Sequence, residues 1–300
     1  MNILKKISGK VQFIFIQVFR RPLPLFLQIV DQNLFDVYRN FFKVRVFDCF
    51  IFHNELDILK LRIDYLKDTV DFFVIVESKL TFTNKEKEKY YACEFIKKLP
   101  HNLRKKIRYV QLNPQDLPEE IKKNPWEMEY FVRNAISFAL NDISYFDFLW
   151  ISDVDEIPNK NNIFKLGRLS MFFSYYKMNL LKKFPWQNYA KAILGKHIKH
   201  NKPQFLRWNK WKFGFKVKNG GWHFSFLMHP NMIKEKVKSY AHSENNKDEF
   251  ISLENIKKSI KNKKDLFGRT NEDLYLEKDL SFLPELVLEN LDYYKKFIEF

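Results

Sequence analysis

From Val44 onward the chain alternates short apolar runs with longer amphipathic ones, and this alternation restricts it to a parallel sheet covered by helices. The runs are VRVFDCFIF (Val44–Phe52), DFFVIVES (Asp71–Ser78), IRYVQL (Ile107–Leu112) and FDFLWIS (Phe146–Ser152). Each is apolar enough for a strand buried on both faces. Between the first two, Leu56, Leu59, Ile63 and Leu66 recur at helical spacing. Asn54 reads as the N-cap of that helix, and Glu55 and Asp57 place negative charge where the helix dipole favours it. Lys85–Leu99 and Trp126–Leu140 read as the second and third crossover helices, with Pro114, Pro118 and Pro125 marking the loop between them. Further on, Ser170–Leu181 and the Trp-rich Phe205–Phe226 read as strands, and Val237–Glu244 and Leu253–Lys264 as helices. The expected fold class is α/β, with a single Rossmann-like mixed sheet flanked by helices. It divides into an N-terminal arm (1–43), a main domain (44–250) and a helical C-terminal tail (251–300) packed on or extending from that domain.

Composition narrows the function. With 52 Lys and Arg against 36 Asp and Glu the formal charge is +16, and 46% of residues are hydrophobic, too many for a disordered chain. The charge alone suits a basic module that binds nucleic acid or a membrane. Glycine is scarce, at 7 residues, and none falls into a GxGxxG or GxxxxGK[ST] pattern, so a backbone cradle for phosphate is not expected. Any nucleotide phosphate must be neutralised by side chains or a metal. Cys49 and Cys93 lie far apart, which excludes a disulfide framework or a Cys-rich zinc site. No N-x-[ST] sequon occurs.

In Met1–Val30 two apolar pieces, Val11–Phe19 and Leu23–Val30, are split by Arg20, Arg21 and Pro22. Neither approaches the ~20 residues that span a bilayer, and no small-residue cleavage site follows them. Lys5, Lys6, Lys10, Arg20 and Arg21 interleave with Phe and Leu, which suits either peripheral contact with an anionic membrane, at about 1 kcal/mol per basic residue, or a helical arm packed on the body. A cytoplasmic location, peripheral to the inner face of the plasma membrane, is expected over a Golgi lumen.

The central chemical feature is SDVDEIP (Ser152–Pro158). Carboxylate-x-carboxylate means little alone, since chance supplies about four such pairs at this acidic content. Glu55/Asp57, Glu86/Glu88, Glu127/Glu129 and Glu277/Asp279 are others. Asp153 and Asp155 differ in position, because they directly follow FLWI at a strand's C-terminal edge, where open α/β sheets bind ligands. Strand periodicity puts both on one side, roughly 6.5–7 Å apart. One carboxylate can then hold a divalent cation while the other reaches its water shell or a ribose. Hard oxygen ligands with few histidines suggest Mg²⁺ or Mn²⁺. The bland alternative is a solvated turn before Pro158.

Several ordered segments resemble glycosyltransferase family 17: FDCFIFHNELDILKLRIDYL (Phe47–Leu66), VDFFVIVES (Val70–Ser78), the helix with Trp126, Glu129 and Arg133, WISDVDEIP (Trp150–Pro158) and GGWHFSF (Gly220–Phe226). The family includes the β-1,4-mannosyl-glycoprotein 4-β-N-acetylglucosaminyltransferases. The resemblance implies a GT-A fold, a UDP-GlcNAc-type donor as co-substrate, a glycan acceptor, a divalent metal at the DxD and inversion at the anomeric carbon. Animal members carry a Golgi membrane anchor, which this N-terminus does not resemble. A microbial surface polysaccharide or lipid-linked glycan is the expected acceptor, and no nucleic acid is expected.

On this reading Asp155 is the first choice of metal ligand, with Asp153 at the metal or the ribose. His53, Asn54 and Glu55 follow the first strand and Glu77 ends the second, so all four belong at the nucleoside edge, with helix capping as an equal alternative for Asn54 and Glu55. Arg133 pairs with a site carboxylate, with phosphate, or in a surface salt bridge. A late histidine is a further metal or pyrophosphate contact, and His223 is preferred over His242 because Gly220 and Gly221 beside it permit close backbone approach. Trp208, Trp211 and Trp222 either offer an apolar face to a sugar or pack in the core. Glu244, and less strongly Glu156, are candidates for the base that inversion requires. The rival classes are a metal-dependent nuclease or phosphoryl-transfer enzyme and a non-catalytic basic module.

Overall fold

A computed structural model of the 300-residue chain describes residues 39, 43–209, 215–269 and 273–300. Apart from Arg39 and Lys43, the N-terminal arm lies outside the described residues, as does Trp211. Among the described residues no helix is long and apolar enough to cross a membrane.

The four apolar runs form β1 (Val46–Phe52), β2 (Phe72–Ser78), β3 (Ile107–Leu112) and β4 (Phe148–Asp153). They pair in parallel in the order β3-β2-β1-β4. Strand order therefore reverses at β1/β4, and a crevice is expected at the carboxyl ends of those two strands. The short β6 (Gly167–Leu169), β9 (Lys191–Leu194) and β10 (Phe215–Val217) extend this sheet beyond β4, β9 running antiparallel, to seven mixed strands.

Alternate residues feed two cores. Phe50, Phe52, Phe73 and Ile75 face α1 (Leu56–Leu66), while Phe47, Cys49, Val74 and Val76 face α3 (Pro125–Asn134); α2 (Tyr91–Lys97) lies between these helices in the chain. Leu59, Ile63 and Leu66 of α1 are fully buried, each contributing about 1.5–3 kcal/mol.

A second sheet, absent from the sequence expectation of a single one, has the order β12-β8-β7-β11-β5. It comprises β5 (Glu156–Pro158), β7 (Phe172–Tyr175), β8 (Lys177–Lys182), β11 (Gly221–Ser225) and β12 (Leu274–Leu276). Ser170–Leu181 holds two strands, β7 and β8, joined in a hairpin where Tyr176 turns the chain at φ +66. Phe205–Trp208 belongs to a helix, α4 (Pro203–Trp208), with Pro203 at its first position. The helix sought at Val237–Glu244 lies earlier, as α5 (Pro230–Ser239), started by Pro230 behind a His229 cap. Lys85–Leu99 is helical only from Tyr91, since Lys87 is drawn inward to Glu77. Residues beyond 250 are woven into the body: α6 (Leu253–Lys261) packs on α5, β12 pairs with β8, and Leu283, Val287, Tyr294 and Ile298 join the main core.

One buried ion pair ties the two sheets together. Arg62 of α1 and Asp48 of β1 are both inaccessible to solvent and meet at 2.6 Å. The guanidinium also donates to Ser152 Oγ and to the carbonyls of Asp153, Val154 and Glu156, which form the turn from β4 into β5. Removing one partner of a buried pair strands the other charge. Arg62→Met is expected to lower stability in urea unfolding by about 3–5 kcal/mol, and the double variant with Asp48→Leu to recover part of that loss. A single variant as stable as the wild type would show that the pair does not anchor the turn.

Candidate active site

Asp153 closes β4, and Val154 and Asp155 form the turn into β5. The strand thus ends between the two carboxylates, so strand periodicity does not set their relative placement. Each meets a different set of partners. Asp153 Oδ1 accepts from Arg133 at 2.7 Å and Oδ2 from Arg207 of α4 at 2.5 Å. Arg133 is held in turn by Glu129 and Gln204. Burial pushes the Asp153 carboxyl up, but Arg207 and Arg133 outweigh it and hold it below its ordinary range.

Asp155 has partners of its own. Its Oδ2 accepts from Lys236 of α5 at 2.9 Å, and its Oδ1 lies 3.7 Å from His223 Nε2. The register of β11 on β5 pairs His223 with Glu156, and Phe224 N donates to Asp155 O, which brings the imidazole to the carboxylate. Gly221, at φ +144, makes that register feasible, because a Cβ there would lie 2.1 Å from Ile157 O. The close approach inferred for the glycine pair is thus to a neighbouring strand. The His223 ring stacks on Phe173, and its Nδ1 is buried without a partner. Burial pushes the Asp155 carboxyl up, yet Lys236 and then His223 hold it well below the usual carboxylate range.

Glu55 arrives from β1. It is the N-cap of α1, displacing Asn54 from the expected capping role, and its Oε2 accepts from the His53 and Asn54 amides. Its Oε1 lies 3.0 Å from Lys236 Nζ, so one ammonium bridges Glu55 and Asp155. Burial lowers the Lys236 pKa, but Asp155 and Glu55 more than reverse this and keep it protonated. His53 Nε2 meets Ser239 Oγ on the same helix. Asn54 Oδ1 is buried without a partner, like His223 Nδ1.

Two sequence candidates are structural. Glu77 is fully buried and accepts from Lys87, from the amides of Tyr91 and Ala92, and from Tyr109 Oη. It caps α2, so no lone pair remains for a nucleoside. Glu156 is also buried, and its two oxygens accept from Trp186 Nε1, both Arg207 nitrogens and the Asp153 amide. With every acceptor direction used it cannot take a proton from an acceptor sugar. Arg133, 1% exposed, is committed to carboxylates and not to phosphate. Trp222 is a core residue that donates to Phe282 O, whereas Trp208 is 51% exposed. Glu244 is exposed and 2.7 Å from His242 Nδ1.

The arrangement does not fit the expected divalent ion at Asp153, Asp155 and His223. Both Asp153 oxygens face guanidinium groups, whose charge opposes a second cation. The free side of Asp155 holds the Lys236 ammonium. Among the described residues no group of three or more His, Cys, Asp or Glu is placed to hold a metal.

With this geometry in view, comparison with known proteins becomes decisive. The family model for glycosyltransferase family 17 matches residues 35–282. The chain belongs to that family. A search of the curated proteins finds none that matches it. Membership makes this glycosyltransferase a transferase with a mixed α/β fold, and sets aside the nuclease and non-catalytic readings. The matched range includes both carboxylate clusters at the ends of β1 and β4. Sequence reasoning missed Arg62, Arg207 and Lys236. Only Arg62 left a signal, since it lies three residues after Leu59 and four before Leu66, on the buried stripe of α1.

The site makes one prediction about pH. Burial, with Lys87 and Lys236 nearby, lowers the His53 pKa to about 4 despite Glu55. A folded pKa below the unfolded value of about 6.5 means the unfolded chain binds more protons between those limits. This contribution is intact above about pH 6.5 and is lost as pH falls toward 4, by up to about 3 kcal/mol. Urea unfolding of His53→Gln should therefore show a shallower loss of stability over that window than the wild type; equal slopes would refute it.

Proposed function

We propose that this enzyme transfers a sugar, GlcNAc from UDP-GlcNAc, to a glycan hydroxyl with inversion, as a β-1,4-N-acetylglucosaminyltransferase-like member of its family. The observation that carries the reading is the convergence of Asp155, His223, Glu55 and Lys236 where strand order reverses. A nucleoside diphosphate leaving group develops negative charge as the glycosidic bond breaks, and a preorganised cation lowers that barrier. The chain has no glycine-rich phosphate cradle, so side chains must supply the charge. Asn54 Oδ1 and His223 Nδ1, both buried and unpartnered, are polar atoms available to the donor beside Lys236, as Arg133 Nε and Gln204 Nε2 are beside Asp153.

The acceptor side is read from aromatic residues. Trp126 and Tyr130 lie one turn apart on α3, Trp208 packs edge-on to Tyr130 at 5.2 Å, and His242 edge-on to Trp126 at 4.4 Å. Arg133 and Arg207, which hold Asp153, are the neighbours of this row in sequence. Such a row suits the apolar face of a sugar ring. It ends on the His242–Glu244 pair, whose carboxylate orients the imidazole, so the pair takes the role of base for which Glu244 and, less strongly, Glu156 were candidates, abstracting the acceptor hydroxyl proton. A surface polysaccharide or lipid-linked glycan, reached from the cytoplasmic face of a membrane, is the acceptor we favour.

Incubation with a panel of nucleotide sugars, with products followed by proton NMR, tests this reading. UDP-GlcNAc should be consumed and give a β-linked product from an α-linked donor. Asp155→Ala should cut turnover by about 10²-fold or more. Glu244→Gln and His242→Gln should each lower kcat by about 10²–10⁴-fold with little change in donor KM. Retained configuration, or turnover of no nucleotide sugar, would overturn the proposal.

A further inference from the structure

The disagreement between the carboxylates and the metal they were expected to hold has a positive side. The point between Asp155 and Glu55 is not vacant space: Lys236 Nζ lies 2.9 Å from the one and 3.0 Å from the other. We infer that the Lys236 ammonium is the cation of this site and binds the donor diphosphate without a divalent metal. The inference rests on the nucleotide-sugar reading above and assigns one residue to it.

Three features make Lys236 suited to the role. Its position is imposed from both ends, since α5 is anchored by buried Ile233 and Val237, and the two carboxylates come from the turns that end β1 and β4. An ammonium has three N–H donors, and the two carboxylates take two of them. The side chain remains 17% exposed, so the third can reach a ligand from solvent. Burial between two ionised carboxylates also fixes its charge, so the positive centre is already in place before the donor arrives and needs no reorganisation. Lysine serves elsewhere as a point charge for phosphate.

A divalent ion would have to displace this ammonium, and the displaced charge would be left beside it. His223 approaches Asp155 from the opposite oxygen and adds a ring nitrogen to the same pocket wall. Arg133 and Arg207 cannot substitute, because their guanidinium groups are bound to Asp153, Glu129 and Glu156.

Calorimetric titration of the full chain with UDP, in EDTA and in saturating Mn²⁺, tests the inference. For the wild type we expect the same affinity in both, within about twofold. Lys236→Met should lose about tenfold or more in EDTA, and Lys236→Arg, which keeps the charge, should retain part of it. Paramagnetic resonance of Mn²⁺ should show no bound ion in the free wild type and a bound ion in Lys236→Met, whose carboxylates are released. Wild-type binding that vanishes in EDTA and returns with Mn²⁺ would overturn the inference while leaving the nucleotide reading standing. UDP binding under neither condition would remove both. The wild-type comparison decides the matter even if Lys236→Met fails to fold.

Discussion

Everything at the open end of the sheet depends on where Arg62 can put its charge. A guanidinium with no access to water has to satisfy five N–H donors inside the protein, and α1 leaves it only the space beneath the β4–β5 turn. Asp48 supplies the compensating charge, and Ser152 Oγ and the carbonyls of Asp153, Val154 and Glu156 supply the remaining acceptors. The turn that carries Asp155 is thereby held by its backbone from below. Its side chains are free to be used above. Replacement of Arg62 by an apolar residue of similar size would leave three carbonyls without partners, which explains why so costly a group sits in the core.

Above that anchor the charges fall into two sets with different physical characters. Asp153, Glu156, Arg133 and Arg207 form a closed set in which every carboxylate oxygen meets a guanidinium or an amide. Bidentate pairing of this kind orients planar groups and rigidifies the elements that carry them, here α3, α4 and β5. The second set, Glu55, Asp155, His223 and Lys236, is open in another sense: its two carboxylates share one ammonium, which has a donor to spare. Closed networks position, and open ones react. The distinction sorts residues that a residue-type search would treat alike.

That same distinction explains what was legible in the sequence. The four parallel strands were readable because a strand buried on both faces must be apolar throughout, and the placement of SDVDEIP at a strand end followed from them. The partition of Asp153 from Asp155 was not readable, because it depends on β4 ending at Asp153, and strand ends are set by pairing partners far along the chain. Glu77 looked like a ligand because it ends a strand beside the crevice; that it caps α2 depends on Lys85–Tyr90 staying non-helical, which the buried Lys87 enforces. Lys236 was hidden by the displaced start of α5, since Pro230 begins that helix seven residues before Val237, where helical periodicity was first apparent.

Scarcity of glycine connects the fold to the chemistry. Phosphate recognition by backbone amides requires tight turns at the start of a helix, and glycine is what permits the approach. Here Glu55, the N-cap residue of α1, bends back to accept from the His53 and Asn54 amides that precede the helix. That carboxylate then needs a cation, and Lys236 provides it from α5. The charge that a backbone cradle would have offered a diphosphate is supplied instead by a side chain, at the point where Glu55 and Asp155 meet. Gly221 serves a strand contact instead, against Ile157, where the backbone of the second sheet must come close enough to deliver His223.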